Sequence, residues 1–389
     1  MSRRTRSDAV VVGGGVVGAA CALALAREGL RVELVEAAPA RPWSPEQPDL
    51  RVFALAADNV ALLDSIGAWQ AIRAARAHPY RRMRVWDAGG GEELVFDGDA
   101  FGRESLGWIV ENGLLVNQLR AAVAAAGVEL HCPARVLAFE QDKDGARLEL
   151  DDGRQLATRV VIAADGAESS LRRMAGIGTR GRDYAQRGVV GYVDTGLAHE
   201  DTAWQRFLPG GPLAFLPCMD GSCSIVWSLP ETEAVRVLEL DDGRFGEELT
   251  RAFAGRLGRV QPRSPRAAFP LRLRLADAAQ QGRLLLLGDA AHVVHPLAGQ
   301  GVNMGLRDVS GLLALVQQAG EHWDSPHRLR RWARRRKSEN AVAACSFDGI
   351  DRVFSNDALL PTLMRGQLFS AAARMGPVAH GLWRRAAGL

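Results

Sequence analysis

The sequence predicts an α/β fold in which a parallel-sheet domain is interleaved with a mostly antiparallel β-sheet domain and followed by a helical C-terminus. Three stretches carry this prediction. Residues 9–36 run strand, glycine turn, helix and strand, and the short apolar run Leu284–Leu287 ends at Gly288-Asp289. Between them, residues 184–269 show the short runs of an antiparallel sheet.

The first helix begins inside the run Gly13-Gly14-Gly15-Val16-Val17-Gly18, between two predicted strands. In this dinucleotide fingerprint Gly13 makes the tight turn, Gly15 lets the backbone approach a pyrophosphate, and Gly18 allows close helix–strand packing. The second strand ends at Glu36, where a carboxylate hydrogen-bonds an adenosine ribose and would repel a 2′-phosphate. The stretch therefore predicts a Rossmann-like domain that prefers FAD or NAD to NADP.

A second motif lies between Arg283 and Asp308. Its apolar run ends at Asp289, which places a carboxylate at the carboxyl end of a buried strand, where open α/β sheets bind ligands. Pro296 and the glycines at 299, 301 and 305 flank a helix with apolar spacing from Val302. The first turn of such a helix favours an anion. Alone, the motif would also fit an ordinary strand–loop–helix with structural glycines.

Composition narrows the class of protein. A length of 389 residues suggests two to three domains, and the net charge of +3 is too small to argue for nucleic acid. The five cysteines are few, odd in number and without metal spacing, which indicates a reducing cytoplasm. Arg3, Arg4 and Arg6 could mimic an export signal, but Asp8 and the glycines interrupt it. No run reaches the ~18 apolar residues of a membrane span.

With Asp165-Gly166, Ser169 and Arg172 added, these motifs resemble those of the class A flavoprotein hydroxylases, which share the para-hydroxybenzoate hydroxylase fold. Within that class, four segments look most like the ubiquinone-biosynthesis hydroxylases: PDLRVFAL at 48–55, LGWIVEN at 106–112, FLPGGPLAFLP at 207–217 and HPLAGQGVN at 295–303. The resemblance runs nearly end to end.

The resemblance implies an FAD-dependent monooxygenase that hydroxylates a polyprenylated phenol or quinol of ubiquinone biosynthesis. NADPH or NADH would reduce FAD, and O2 would then form a flavin C4a-hydroperoxide. Two alternatives stay open. One is a same-fold enzyme with other chemistry, such as a small-aromatic hydroxylase or an FAD reductase. The other is a non-catalytic flavoprotein that scaffolds a biosynthetic complex. Ring position, prenyl length and the choice between NADH and NADPH stay open too.

The resemblance also implies roles for single residues. Arg51 lies beside the flavin and its phosphates, Asn112 near the flavin, and Asp289 on the ribityl chain; a surface salt bridge is the alternative for Arg51. Asp165 belongs to the pyrophosphate region, unless it only caps its own helix. No side-chain acid or base is assigned. The predicted cofactor-binding set is Gly13, Gly15, Val16, Val17, Gly18, Glu36, Arg51, Asn112, Asp165, Gly288, Asp289, Pro296, Gly299, Gly301, Val302 and Asn303.

We expect three regions. The FAD-binding domain comprises residues 1–75, 105–178 and 276–320, the substrate-binding sheet comprises 76–104 and 179–275, and a helical C-terminal region comprises 321–389. In the sheet domain, Phe207, Phe215 and Trp227 are the predicted lining of a greasy substrate pocket, with simple core packing as the alternative. A two-residue hairpin at Asp220-Gly221 would set Cys218 opposite Cys223, as reduced thiols in a cytoplasm.

The C-terminal region carries a basic cluster around Trp332, for which a solvated helix face is favoured over contact with anionic lipid. The cluster is Arg328, Arg330, Arg331, Arg334, Arg335, Arg336 and Lys337. We expect a cytoplasmic protein. Peripheral contact with the inner membrane surface, a homo-oligomer and membership of a ubiquinone-biosynthesis complex stay open. Asp289, His292 and His295 have a metal-like spacing, but Pro296 and the glycines disfavour a regular ligand face, so no metal is predicted.

Overall fold

The computed structural model describes residues 6–39, 41–294 and 300–354, with the backbone alone at residue 300 and at 346–354. The helices in these ranges are α1 (Val16–Arg27), α2 (Ala57–Ser65), α3 (Trp69–Arg76), α4 (Asn112–Ala125), α5 (Ser170–Met174), α6 (Glu231–Glu239), α7 (Asp242–Ala252), α8 (Gln300–Ala319) and α9 (Pro326–Phe354). The strands are β1 (Ser7–Val12), β2 (Val32–Val35), β3 (Val52–Ala56), β4 (His78–Tyr80), β5 (Arg82–Asp87), β6 (Leu94–Asp97), β7 (Gly107–Glu111), β8 (Glu129–His131), β9 (Val136–Gln141), β10 (Ala146–Leu150), β11 (Gln155–Ala163), β12 (Thr179–Thr195), β13 (Thr202–Leu208), β14 (Gly211–Pro217), β15 (Cys223–Pro230), β16 (Val260–Pro262), β17 (Ala267–Ala276), β18 (Gln280–Gln281), β19 (Leu284–Leu286) and β20 (His292–Val293).

The first sheet contains five parallel strands, and four neighbouring ones, β19, β11, β1 and β2, bring the residues that follow them to one edge. Its order is β18-β19-β11-β1-β2-β8, and the β9–β10 hairpin extends it on β11. Val12 lies opposite both Val35 and Ala163, and Ala163 lies opposite Leu286. The predicted parallel-sheet domain is therefore confirmed, and the residues that follow these four strands meet at the same edge, where ligands bind in such sheets.

The second sheet is mostly antiparallel, in the order β20-β17-β12-β15-β14-β13-β5-β6, with β16 on β12. Along β14 and β15, Phe215 and Trp227 share a core with Phe245 and the other apolar residues of α6 and α7. Leu216 and Val226 belong to a different cluster, which also contains Ile109 of β7. Since side chains alternate along a strand, one face of this sheet packs on its own helices and the other meets the rest of the protein.

The predicted pocket lining is corrected by this arrangement. Phe215 and Trp227 lie in the core beneath α6 and α7, and Phe207 lies in a small cluster with Val85. The alternative of core packing applies to all three. The aromatic pattern could not decide between the faces, because the two helices that cover one face were not predicted.

The turn between β14 and β15 differs by one residue from the predicted hairpin. Cys223 pairs with Pro217, and the Gly221 N–H donates to the Cys218 carbonyl. Gly221 has a φ of +80°, so a four-residue turn ends in a left-handed glycine and Cys218 is not directly opposite Cys223. The predicted facing pair is therefore wrong. Both residues are free, buried thiols.

Local breaks account for other differences from the predicted elements. Helix α2 ends at Ser65 and α3 begins at Trp69, and Gly67 between them has a φ of +77°. A third sheet, β3-β7-β4, was not predicted and links the other two. The predicted helical C-terminus is described as far as Phe354, and the domain boundaries stay a prediction.

The basic cluster on α9 is also corrected in part. Trp332 and Arg336 are buried, while the arginines at 330, 331, 334 and 335 and Lys337 are exposed. The exposed residues occupy the side of the helix opposite the buried one, as expected for an amphipathic helix. Only the exposed members form the solvated face that the sequence predicts.

We predict that Phe215→Ala lowers the free energy of unfolding by about 3–5 kcal/mol, since a large side chain with no exposed surface is removed from the core. Chemical denaturation of the apo-protein measures this loss. Val235→Ala on α6 is the control, because its side chain is exposed and its loss should change stability by no more than about 0.5 kcal/mol. A loss as small as that of the control would contradict the core position of Phe215.

Candidate active site

Close packing at the edge of the first sheet explains the glycines of the N-terminal turn. Gly13 has a φ of +104°, and a Cβ added to it would lie 2.2 Å from the Ala164 carbonyl oxygen. A Cβ on Gly18 would lie 1.8 Å from the Gly13 carbonyl oxygen. A Cβ on Gly15 would meet nothing within 4 Å. The first two positions therefore exclude side chains by packing, whereas Gly15 borders open space at the start of α1.

Val17 joins the N-terminal turn to the late motif. A Cβ on Gly288 would lie 3.2 Å from a Val17 methyl, and one on Gly305 only 2.5 Å from it. The side chain of Val17 thus lies between two glycines that are distant from it in sequence. This contact brings α1, the loop after β19 and the start of α8 together. We call the space that these three segments border the cleft.

Glu36, at the end of β2, is held by an arginine that sequence reasoning missed. Its carboxylate accepts hydrogen bonds from the Gly14 N–H at 2.5 Å and the Ala38 N–H at 2.8 Å. The Arg120 guanidinium lies 3.1 Å from the same carboxylate and donates to the Gly14 carbonyl at 2.8 Å. Arg120 therefore neutralises Glu36 and fixes the glycine turn. No local signal marks it, because it lies 84 positions from Glu36 on α4.

Asp165 does cap a helix. One of its carboxylate oxygens accepts from the Ser170 and Leu171 N–H groups at the start of α5, while the other, Oδ1, is buried without a partner among the described residues. Arg172 of the same helix donates to the Ala290 carbonyl at 2.9 Å. The Asp165 segment is thereby tied to the loop that carries Asp289.

Asp289 lies in the loop after β19 that borders the cleft. It sits in a 3₁₀ turn, Gly288–Ala290, directly after the buried strand β19. Its side chain is exposed, yet desolvation by the surrounding protein raises the pKa of its carboxyl, against the nearby charges of His292 and Arg51. Among the described residues its carboxylate makes no hydrogen bond, so it is available to a ligand.

Arg51 and Asn112 are both organised by Asp49, which sequence reasoning missed. The carboxylate of Asp49 accepts from the Arg51 N–H and from the Asn112 side chain, each at 3.0 Å. The Asn112 N–H donates to the Arg51 carbonyl. The Arg51 guanidinium is exposed, makes no hydrogen bond or ion pair in the described part of the chain, and lies near enough to Asp289 for its charge to act on that carboxyl. Its role beside the flavin stays a prediction.

The start of α8 completes the cleft. A Cβ on Gly301 would meet nothing within 4 Å, as at Gly15. Val302 is buried, and the side chain of Asn303 is used internally: it accepts from the Ala56 N–H at 2.9 Å and donates to the Ala54 carbonyl at 2.8 Å. Asn303 therefore attaches α8 to β3, and its side-chain amide does not face the cleft. Pro296 and Gly299 lie outside the described residues.

Of the residues with metal-like spacing, His292 makes a hydrogen bond within the protein. His292 is buried, and its Nε2 lies 2.7 Å from the Asp308 carboxylate. His295 lies outside the described residues. We therefore interpret His292 as part of a buried hydrogen-bond network behind the cleft.

The cleft fits a dinucleotide. Two glycines at helix starts border open space, an acid follows β2, and a carboxylate without a hydrogen bond among the described residues follows β19. Backbone N–H groups at helix starts suit phosphates, and carboxylates suit ribose or ribityl hydroxyls. Fold and site together define a flavoprotein of the Rossmann-like type with an added antiparallel sheet.

Comparison with known proteins agrees with this class. Residues 6–344 match the family model described as an FAD binding domain. The chain is 38% identical to the 3-demethoxyubiquinol 3-hydroxylase of Escherichia coli, over 98% of this chain and 99% of that protein. It is 35% identical to the ubiquinone hydroxylase UbiL of Rhodospirillum rubrum, over 98% and 90%. The fold is similar to that of p-nitrophenol 4-monooxygenase PnpA from Pseudomonas putida, with a TM-score of 0.78 at 20% identity over 98% of each chain.

The chain therefore belongs to the family of FAD-binding monooxygenases that contains the ubiquinone hydroxylases. Its cofactor is FAD, and enzymes of this class use NAD(P)H as the reductant. The positions of individual residues on FAD stay predictions.

We predict that Asp289→Ala weakens FAD binding by about ten- to a hundredfold, because it removes one charge-assisted hydrogen bond to a hydroxyl, and such a bond contributes about that much affinity. Fluorescence titration of the apo-protein with FAD measures the affinity, and melting of the same apo-protein measures stability. Glu247→Ala, an exposed carboxylate on α7, is the control and should change neither. An unchanged affinity with a lowered melting temperature would show that Asp289 serves only its own loop.

Proposed function

We propose that the protein hydroxylates the aromatic ring of a polyprenylated phenol or quinol in ubiquinone biosynthesis. The observation that carries this proposal is the 38% identity over almost the full length of a 3-demethoxyubiquinol 3-hydroxylase. Near-complete coverage of both chains matters here, because the antiparallel sheet is shared as well as the cofactor domain. FAD, when bound, would supply the redox chemistry, in which a hydride from NAD(P)H and a proton allow one oxygen atom of O2 to enter the ring while the other leaves as water.

The contact between the second and third sheets suits a lipophilic substrate. It is lined by apolar side chains on both sides, which form a seam consisting of Val52, Ile109, Ala203, Leu216 and Val226. A small cavity beside the seam is bordered by Met219, which is exposed at the β14–β15 turn, and by the polar side chains of Arg76, His78, Glu111 and Tyr192. Val52 directly follows Arg51, so the seam begins next to the cleft. Apolar walls with a few polar groups are typical of small-molecule sites.

The residues of the cleft would divide the work of holding the cofactor. Gly15 and Gly301 let it approach the backbone at two helix starts, Glu36 would bind the ribose hydroxyls, and Asp289 the ribityl chain. The apolar seam would place the ring and exclude water, which strengthens the electrostatic interactions at the site. Positioning the ring is therefore the main task we assign to the protein.

We expect deletion of the gene to abolish ubiquinone and to cause an under-hydroxylated prenyl phenol or quinol to accumulate. Mass spectrometry of the quinone extract measures both, and the mass deficit gives the number of missing oxygen atoms. With the purified holoenzyme, a prenylated phenol should stimulate NAD(P)H oxidation and gain one oxygen, whereas small benzoates should not. Stimulation by benzoates alone would support the small-aromatic alternative. If no phenol stimulates NAD(P)H oxidation although the deletion strain loses ubiquinone, the result would support a non-catalytic scaffold.

We further propose that the exposed basic face of α9 contacts anionic lipid headgroups, where a polyprenyl substrate would be found. No helix in the described ranges has the length and apolarity needed to cross a bilayer. Arg331 and Arg334 have no partner among the described residues, so their charges are available to an anionic surface. Such a contact would place the protein at the cytoplasmic surface of the inner membrane. A homo-oligomer or a biosynthetic complex would be compatible with it.

We predict that the protein binds phosphatidylglycerol vesicles more strongly than neutral phosphatidylcholine vesicles at low salt. The double variant Arg331→Glu/Arg334→Glu should lose at least about tenfold in partitioning, since each basic residue contributes about 1 kcal/mol near such a surface. Vesicle co-sedimentation measures this, with Arg135→Glu/Arg251→Glu as the control for net charge. Equal losses in both double variants would argue against a specific role for α9.

A further inference from the structure

Behind the cleft, the carboxylate of Asp308 is fully buried and accepts four hydrogen bonds. One oxygen accepts from the Gly288 N–H at 3.0 Å and from His292 Nε2 at 2.7 Å. The other accepts from Arg336 Nε at 2.7 Å and from the Asn340 side chain at 3.1 Å. The carboxylate therefore uses both lone pairs of each oxygen. It connects α8, on which it lies, to the loop after β19 and to α9.

The two contacts of Asp308 with the loop lie on either side of Asp289. Gly288, with a φ of +56°, precedes Asp289 and is held through its N–H, and His292 follows three residues later and is held through its ring. Asp289 itself has no hydrogen bond among the described residues. The direction of its carboxylate into the cleft therefore depends on the backbone turn, and that turn is fixed from behind by Asp308.

His292 and Arg336 keep Asp308 ionised. Desolvation alone would raise the pKa of a carboxyl this deeply buried, but the charges and hydrogen bonds of His292 and Arg336, with the Gly288 N–H, lower it to about 2. A neutral acid would have to donate a proton and could not accept all four hydrogen bonds. Arg336 is itself almost completely buried, so each charge depends on the other.

We propose that Asp308 and Arg336 are a positioning pair for Asp289, through which helix α9 controls the affinity of the protein for FAD. Neither residue touches the cleft. Arg336 and Asn340 reach Asp308 from α9, so the loop that carries Asp289 has its proper shape only when α9 is docked. The pair acts on the cofactor through one residue, and this distinguishes it from general support of the fold.

The test uses the full-length apo-protein of each variant, with FAD affinity from fluorescence titration and stability from melting. Asp308→Asn keeps the shape of the side chain but replaces one acceptor oxygen by a donor. Arg336→Gln removes the buried charge. Arg335→Gln is the matched control, because Arg335 is the neighbouring residue on the same helix and contacts Glu339, as Arg336 does, but is exposed.

We expect Asp308→Asn and Arg336→Gln each to weaken FAD binding by about ten- to a hundredfold, with Arg335→Gln unchanged. In the Asp289→Ala background the same changes should have little further effect on affinity, because the residue they position is gone. Arg336→Lys should restore part of the affinity by restoring the charge.

Two results would overturn the proposal. One is an unchanged FAD affinity in variants whose melting temperature falls, and the other is a full additional loss of affinity in the Asp289→Ala background. If Asp308→Asn and Arg336→Gln do not fold, Arg336→Lys and Asn340→Ala, which remove less, are judged by the same two criteria. If Asp289→Ala alone leaves the affinity unchanged, Asp289 does not contact FAD and the proposal fails with it. No outcome depends on the aromatic substrate, so the proposed function is tested separately.

Discussion

The cleft exists because three segments of the chain approach more closely than side chains allow. The turn at Gly13 packs on the Ala164 carbonyl, Gly18 packs on the Gly13 carbonyl, and Val17 fits between Gly288 and Gly305. An added Cβ at Gly13, Gly18 or Gly305 would lie only 2.2, 1.8 or 2.5 Å from backbone or from a branched side chain, so the elements would have to separate. Both helix starts and the Asp289 loop owe their relative positions to these contacts.

Two kinds of carboxylate surround that packed centre, and their partners distinguish them. Glu36 and Asp308 are held by Arg120 and Arg336, so their charges are balanced within the protein. Asp289 lies in front, exposed and without a hydrogen bond in the described structure. Buried charges need such partners, because an unpaired one would be strongly destabilising. The acid left unpaired is the one that a polar ligand can satisfy.

The two faces of the antiparallel sheet have different tasks: one stabilises the domain, and we propose that the other contacts the substrate. Phe215 and Trp227 stabilise one face against α6 and α7, while Leu216 and Val226, their neighbours in the strands, meet β7 and the region beside the cleft. The face with smaller aliphatic side chains is thus the one that adjoins the cofactor domain. This division suits a family in which the cofactor site is shared and the substrate differs.

The sequence by itself determined the glycine turn, the acid after β2 and the carboxylate after β19, because each depends on residues that are neighbours in the chain. The resemblance to a known family was carried by the same local motifs. Only the tertiary structure decided that Arg120 neutralises Glu36, that Arg336 is buried against Asp308, and that Asn303 points away from the cleft. It also decided which face the aromatic residues occupy and shifted Cys218 out of register with Cys223. These features depend on partners brought together by folding, or on a turn whose register one glycine sets, and no spacing in the sequence encodes them.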